Sequence, residues 1–123
     1  ELEQIEQITA RLAWGVLERA FRDDSLLNEC VEGIDDPRRI WWVQAETMVG
    51  MANLWQKTGN PALLERMNAL WGYIAKNIVD PRQNGEWFAE ADTRGRHPEI
   101  PVADPWKAPY HNGRMCMELM KRL

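Results

Sequence analysis

The chain has 123 residues, of which 45% are apolar and 28% are charged, and its net charge is −4. This length suits one domain with its own core, so we expect a single domain over residues 1–123. The mild negative charge and the lack of a Lys or Arg run argue against a nucleic-acid partner. Polar side chains interrupt every apolar stretch before the roughly twenty residues that a membrane span needs.

Two sequence features indicate the compartment and the kind of chemistry. Cys30 and Cys116 are isolated, without the spacing of a metal site, and the acidic start of the chain is unlike a signal peptide. A reducing cytoplasm is therefore the expected location. The sequence has no Gly-rich phosphate loop and no HExxH or CxxC motif, so we predict neither a nucleotide cofactor nor a bound metal.

The first predicted element is an amphipathic helix over residues 2 to about 21. Its apolar side chains recur at helical spacing: Leu2, Ile5, Ile8, Leu12, Val16 and Ala20. From Asp23 to Pro37 no period is sustained, and we predict a loop.

Two further helices follow with a very short connection. Residues 38–58 are apolar on several faces, which predicts a largely buried helix. Gly59 is expected to end it as a left-handed cap, and Asn60-Pro61 is expected to begin an antiparallel helix over about 61–78. The apolar stripe of that third helix comprises Leu63, Met67, Leu70, Trp71, Ile74 and Ile78.

The last third of the chain is predicted to be mostly irregular before a final helix. Asn84-Gly85 signals a tight turn, and residues 86–96 suggest a short β-ribbon. Four prolines between 96 and 109 exclude a regular helix and are typical of a binding loop. The final helix is expected over about 112–121. The predicted fold is all-α, built of consecutive antiparallel α-hairpins, with the second and fourth helices parallel.

His111 is the strongest candidate for a catalytic residue. It lies at the predicted start of the last helix, where the positive end of the helix dipole disfavours an imidazolium, so its ring is expected to be neutral near pH 7 and able to accept a proton. These are the properties of a general base. The alternative is that His111 only binds a backbone group beside Pro109. His97, in the proline-rich loop, is expected to face water.

Candidate substrate-binding residues surround this position. Trp106 either presents its ring to a sugar or anchors the loop on the core. Glu46, on a nearly all-apolar helix, either pairs with a buried cation or binds ligand hydroxyls. Trp41 and Trp42 point about 100° apart, so at most one of them faces a cleft. Arg114 either binds a substrate oxygen or pairs with Glu118, one turn further along.

Four motifs in this order resemble the C-terminal part of the N-acylglucosamine 2-epimerase family, and in particular its cellobiose (mannobiose) 2-epimerase branch. They are Trp41-Trp42-Val43-Gln44-Ala45-Glu46, Thr58-Gly59-Asn60, Gly85-Glu86-Trp87-Phe88 and Trp106-Lys107-Ala108-Pro109-Tyr110-His111-Asn112-Gly113-Arg114. The resemblance implies that the chain is the C-terminal arc of an (α/α)6 toroid whose funnel binds a reducing-end sugar.

The resemblance also implies a reaction and roles for residues. Two histidines would act on opposite faces of C2 of a ring-opened aldose through an enediolate, without a cofactor. His111 would be one of them, Trp106 a stacking platform, and Trp41 or Trp42 with Glu46 part of the substrate wall.

Nothing in the sequence matches the segment of the partner histidine, and Glu1 begins inside a helical pattern without a capping residue. We therefore expect a fragment with little or no epimerase activity in isolation. The alternatives are a non-enzymatic α-helical module that binds carbohydrate or self-associates through faces exposed by truncation, and part of an aldose–ketose isomerase.

Overall fold

The computed structural model of the chain describes residues 1–83 and 85–123. These residues form four helices, α1 (Leu2–Ala20), α2 (Trp41–Thr58), α3 (Pro61–Asn77) and α4 (Tyr110–Arg122). Short strands occupy the connections: β1 (Phe21–Arg22), β2 (Ser25–Leu26), β3 (Glu29–Val31), β4 (Ile34–Asp36), β5 (Arg39–Ile40) and β6 (Glu90–Ala91). The predicted all-α class is confirmed only as a mostly helical fold, because the short strands of the described residues pair into three two-stranded antiparallel sheets. None of the described helices combines the length and hydropathy that a membrane crossing requires.

Helix α2 lies at the centre of the core, as its apolar surface predicts. It packs against α3 and α4, and its buried side chains are Trp41, Val43, Gln44, Ala45, Met48, Met51, Ala52 and Leu54. Helix α3 covers it with Leu63, Met67, Leu70 and Ile74. The prediction for Trp71 is wrong, because this side chain is 45% exposed.

The connection between α2 and α3 forms as predicted. Gly59 ends α2 with φ +65°, a left-handed conformation that glycine adopts without steric cost. Asn60 caps α3 because its side-chain oxygen accepts a hydrogen bond from the backbone N–H of Ala62 at 3.0 Å. Pro61 then occupies the first helical position, where its missing N–H costs nothing. The two helices are therefore antiparallel neighbours.

Helix α1 contacts the core through a different face from the one that its apolar stripe predicts. In α1, all of which the structure describes, only Leu17 is buried, and Trp14 is packed partly against the core. The predicted stripe is open to solvent, with Leu2 80% and Leu12 64% exposed. Helical period alone indicates that a helix has an apolar face, but not what covers that face.

The predicted loop over 23–37 is wrong, because it contains the β3–β4 hairpin and the second half of the β1–β2 hairpin, which begins at Phe21. β1 pairs with β2 and β3 pairs with β4, both antiparallel. Each hairpin turns through two residues with positive φ, Asp23 and Asp24 in the first and Glu32 and Gly33 in the second. This is the pattern of a type I′ turn, whose twist matches that of the strands. Strands of two or three residues are too short to show an alternating pattern.

The predicted β-ribbon within 86–96 is also wrong. Instead, β6 pairs antiparallel with β5, directly before α2. The side chain of Asp92 accepts hydrogen bonds from the N–H groups of Arg94 and Arg96, at 2.8 and 2.9 Å, and the chain turns there instead of extending into a second ribbon strand. The turn predicted at Asn84 lies outside the described residues.

Helices α2 and α4 run parallel, as predicted. Side chains near both N-terminal ends contact each other, and Gln56 accepts a hydrogen bond from Arg122 at 2.8 Å near the C-terminal ends. The start of α2 and the loop before α4 therefore lie on the same side of the molecule.

Candidate active site

His111 lies in the first turn of α4, which begins two residues earlier than predicted, at Tyr110. Nδ1 of His111 lies 2.8 Å from Oε1 of Glu46 on α2. An ionised carboxylate can only accept a hydrogen bond, so Nδ1 carries the hydrogen and Nε2 of a neutral ring is left with its lone pair. The His111 ring therefore contacts a side chain and not the backbone group of the alternative interpretation.

Glu46 connects His111 to a cation. Its second carboxylate oxygen accepts a hydrogen bond from the guanidinium of Arg114, one turn along α4. The three side chains are each about one third exposed, so the group is screened from solvent on one side and open on the other. Arg114 does not pair with Glu118, which instead binds Arg122 at 3.0 Å. Glu46 therefore pairs with a cation, as one of the two interpretations predicts, and it also contacts the His111 ring.

The two tryptophans at the start of α2 have different environments. Trp42 is 42% exposed, and its ring centroid lies 5.9 Å from that of His111. Trp41 is only 9% exposed, and its ring meets the His111 ring edge-on at 6.4 Å. Trp42 is thus available to a ligand, while Trp41 supports the histidine from the core.

Trp106 projects from the surface, with 92% of the residue exposed. Its backbone is nevertheless held, because its N–H donates to the Asp104 side chain at 2.7 Å. The indole does not anchor the loop on the core, so of the two sequence-based interpretations the structure is compatible with the one that offers the ring to a ligand.

Sequence reasoning missed four residues beside His111. The Tyr110 ring lies edge-on to His111 at 5.0 Å. Behind the site, the ammonium of the buried Lys107 donates to Glu86, and the Glu86 carboxylate also accepts from the side-chain amide of Asn112. Three of these residues adjoin the predicted site in sequence, which could have drawn attention to them. Glu86 lies 25 residues before His111, and its sequence signal is its place in the Gly85-Glu86-Trp87-Phe88 motif.

His97 is not part of this group and does not face water as predicted. Its ring is stacked on Phe88 at a centroid distance of 3.9 Å, and its Nδ1 lies 3.0 Å from the backbone oxygen of Glu90. In the described part of the chain, no group of three or more His, Cys, Asp and Glu side chains forms a candidate metal site.

An apolar groove of about 360 Å³ lies between α1 and α2, next to the site. Trp42 and Glu46 belong to its lining together with Leu12, Ala13, Val16, Leu17, Leu26, Asn28, Val43, Thr47, Gly50 and Met51. The groove is open to solvent and mostly apolar, and it does not enclose a ligand.

Comparison with known proteins identifies similar sequences. The chain matches the model of N-acylglucosamine 2-epimerase over residues 9–114. It is 46% identical over 122 residues to a cellobiose 2-epimerase of Dictyoglomus turgidum, covering 99% of this chain and 31% of that protein. It is 28% identical over 97 residues to the N-acylglucosamine 2-epimerase of Bos taurus, covering 76% of this chain and 23% of that protein.

Solved structures that are similar to this chain are also sugar epimerases and a sugar isomerase. A sugar epimerase from a ruminal bacterium superimposes with a TM-score of 0.94 at 36% identity, over 98% of this chain and 31% of the other. Cellobiose 2-epimerase from Bacillus thermoamylovorans B4167 gives 0.92 at 34% identity, over 96% and 31%. A D-mannose isomerase, at 22% identity and a TM-score of 0.78, shares the fold. The chain spans about a third of the length of its cellobiose 2-epimerase relatives, and it belongs to the N-acylglucosamine 2-epimerase family.

Proposed function

We propose that the chain is the C-terminal portion of a sugar 2-epimerase that inverts C2 of a reducing-end aldose, a cellobiose-like disaccharide or N-acylglucosamine. The observation that carries the proposal is the hydrogen bond between His111 and Glu46, which leaves Nε2 of His111 free to accept a proton beside the exposed ring of Trp42. The names of the relatives supply the substrate class.

The chemistry follows from the position of that nitrogen. In the open-chain sugar, C2–H is acidic because it adjoins the C1 aldehyde. Nε2 of His111 removes this proton, and the C–H electron pair moves into the C1–C2 bond as the carbonyl oxygen becomes an enediolate oxygen. Glu46 stabilises the imidazolium that forms, since its carboxylate holds the Nδ1–H. Return of a proton to the opposite face of C2 gives the epimer. Proton transfer of this kind requires no cofactor or metal.

The opposite face of C2 needs a second acid/base group, and this explains the low activity that we expect of the isolated chain. The sequence holds one other histidine, His97, whose ring is stacked on Phe88 and bonded to a backbone oxygen. We propose that the second group belongs to a segment outside these 123 residues and that those residues complete the funnel of an (α/α)6 toroid.

The remaining site residues are assigned to sugar binding. Trp106 and Trp42 offer exposed rings to the sugar face, and Trp41 supports His111 from behind. Arg114 and Glu46, about one third exposed, face the same opening and are proposed to contact sugar hydroxyls while they fix His111. We also propose a cytoplasmic location, because Cys30 and Cys116 are free, exposed thiols.

The test follows deuterium at C2 of cellobiose in deuterated water. The isolated chain is expected to give no exchange above the buffer rate. A chimera that joins this chain to the remaining two thirds of the Dictyoglomus turgidum relative is expected to exchange C2 and release the epimer, and His111→Asn in that chimera is expected to abolish both. Release of a ketose would instead identify an aldose–ketose isomerase. A His111→Asn chimera with full activity would refute the proposal.

A second candidate function is self-association without catalysis. It is favoured by the exposed apolar stripe of α1, since apolar surface of this extent is seldom left bare on a monomer. We propose that a second copy of the chain covers this stripe when the chain is isolated.

A further inference from the structure

A partly buried polar cluster adjoins His111 through the next residue of α4, Asn112, and takes no part in the proposed reaction. It consists of Lys107, Glu86 and Asn112. We propose that Glu86 and Lys107 are positioning residues, which hold the first turn of α4 and the loop of Trp106 in the geometry that the site needs. This inference rests on the proposed function, because it names what orients the general base and the stacking platform of that site.

The burial of Lys107 is the first reason. Only 2% of the residue is exposed, and its ammonium donates to Oε2 of Glu86 and lies 5.1 Å from the centroid of the Trp41 ring. Burial removes the hydration of the Lys107 ammonium and part of that of Glu86, whose side chain is 26% exposed, so the pair adds little stability over well-packed apolar side chains. The ion pair instead fixes the positions of the two side chains relative to each other, because each charged group must keep its partner.

The connectivity of Glu86 is the second reason. One of its oxygens binds Lys107 in the loop, and the other accepts a hydrogen bond from the side chain of Asn112, the residue after His111. Glu86 is itself fixed to the end of α3, since its backbone oxygen accepts from the N–H of Asp80 at 2.8 Å. Glu86 therefore joins three segments: its backbone oxygen holds Asp80, just after α3, and its carboxylate holds the loop and the start of α4.

The loop itself is the third reason. The Asp104 side chain accepts hydrogen bonds from the N–H groups of Trp106 and Lys107, at 2.7 and 2.9 Å. With the Lys107 side chain directed inward, this turn leaves the neighbouring Trp106 ring outward and 92% exposed. The cluster thus controls both sides of the site, His111 through Asn112 and Trp106 through Lys107.

The experiment uses the full 123-residue chain with ¹⁵N-labelled histidine and no sugar. The variants are Glu86→Gln, which removes the charge at constant shape, and Asn112→Ala, which cuts the connection to α4 and keeps the ion pair. Glu90→Gln is the control, since Glu90 lies in the same segment but binds the surface residue Arg38 at 3.1 Å. The ring ¹⁵N shifts of His111 report its tautomer, and thermal unfolding reports stability.

We expect wild type and Glu90→Gln to show one Nδ1–H tautomer of His111, and Glu86→Gln and Asn112→Ala to show a mixture of tautomers. A folded Asn112→Ala variant with the wild-type tautomer would overturn the inference, whatever happens to Glu86→Gln. If Glu86→Gln does not fold, the His111 tautomer in Asn112→Ala still tests the inference, because Asn112 is only half-buried.

The failure of this inference can be told apart from failure of the proposed function, because the spectra are recorded without sugar. A tautomer mixture in the two variants supports the positioning role even if the chimera fails to epimerise a sugar. Conversely, an active chimera with unchanged His111 spectra in both variants would leave the function standing and refute the positioning role.

Discussion

Glu46 on α2 and His111 on α4 are 65 residues apart in sequence, yet Oε1 of the first lies 2.8 Å from Nδ1 of the second. The pairing depends on parallel helices whose N-terminal turns lie side by side. Beside an ionised Glu46, a neutral imidazole carries its hydrogen on Nδ1, and the proposed role of His111 as a base depends on this pairing.

Replacing Glu46 with Gln is expected to slow C2 exchange in the chimera by about 10²–10⁴-fold. The amide nitrogen can donate to Nδ1 and so favours the tautomer with the hydrogen on Nε2, which can no longer accept the proton from C2. The measurement is the initial rate of deuterium incorporation into cellobiose. Glu118→Gln, on the same helix as His111 but bound to Arg122, is the matched control and should keep the parental rate. Equal rates for the two variants would contradict the role of Glu46.

Replacing Trp106 with Ala is expected to weaken cellobiose binding by roughly 2- to 10-fold, the loss of a stacking contact worth about 0.5–1.5 kcal/mol. Because the residue is 92% exposed, the unfolding temperature should not change. Affinity is measured by titrating the chimera, in which the proposed funnel is complete, with cellobiose. Trp71→Ala, at an exposed position of α3, should bind as wild type does. If both variants bind equally well, Trp106 is not a platform.

Gln44 is expected to be the polar residue whose loss destabilises the fold most. It is buried, its Oε1 accepts from the N–H of Leu26 at 2.8 Å, and its Nε2 donates to the Leu26 oxygen at 2.8 Å. Gln44→Leu leaves both backbone groups unpaired, at a cost of about 1–3 kcal/mol each. Urea denaturation measures the change. Gln7→Leu, on the exposed part of α1, should stay within about 0.5 kcal/mol of wild type, and a similar value for Gln44→Leu would be evidence against this account.

The turn at Asp92 is expected to open only in strong acid. Hydrogen bonds from the backbone N–H and the guanidinium of Arg96, and then from the N–H of Arg94, lower the pKa of Asp92 to about 2. The folded pKa lies below the unfolded value, near 3.9, so the contribution of Asp92 is fully present above about pH 4 and is lost as pH falls through about 2.

The amide signals of Arg94 and Arg96 should therefore titrate with a midpoint near pH 2. Asp92→Asn should remove this titration. A midpoint near pH 4 would mean that the turn does not hold the carboxylate in solution.

Self-association through α1 is expected to depend on its apolar stripe. The molar mass from light scattering should rise with concentration above the 14.3 kDa of one chain. Leu12→Lys should return it to one chain, because a charge in the contact must be desolvated. Gln7→Lys, on the polar face of the same helix, should leave the association intact. A wild type that stays monomeric at all concentrations would exclude the second copy.

Helices and their ends could be read from the sequence wherever a local signal existed. Gly59, Asn60 and Pro61 form the expected cap pair, and α3 buries most of its predicted stripe. The strands could not be read in this way, because β5 and β6 pair across 50 residues and each is only two residues long. Their pairing depends on tertiary contacts that no short pattern contains.

The sequence predicts which residues form the site, but it does not predict the hydrogen bonds and ion pairs between them. His111 and Trp106 attract attention through their chemistry alone. That Arg114 would bind Glu46 and not its helical neighbour Glu118 depends on how α2 and α4 pack, which spacing along one helix cannot indicate. Lys107 was the least predictable, since a lysine is seldom buried and its partner Glu86 is distant in sequence.

Because its apolar face is exposed, α1 is less stable at its N-terminal end than at its C-terminal end. Leu17, the buried residue of α1, lies in its last turn, and the first half is held to α2 by the exposed pair of Glu6 and Lys57 at 3.3 Å, a contact that contributes little. Local opening should therefore cost least at Leu2 and progressively more toward Leu17, visible as a gradient of amide hydrogen exchange. Because Lys57 lies at the C-terminal end of α2 and Glu46 lies near its beginning, this fraying occurs at the far end of the helix and leaves the geometry around His111 unchanged.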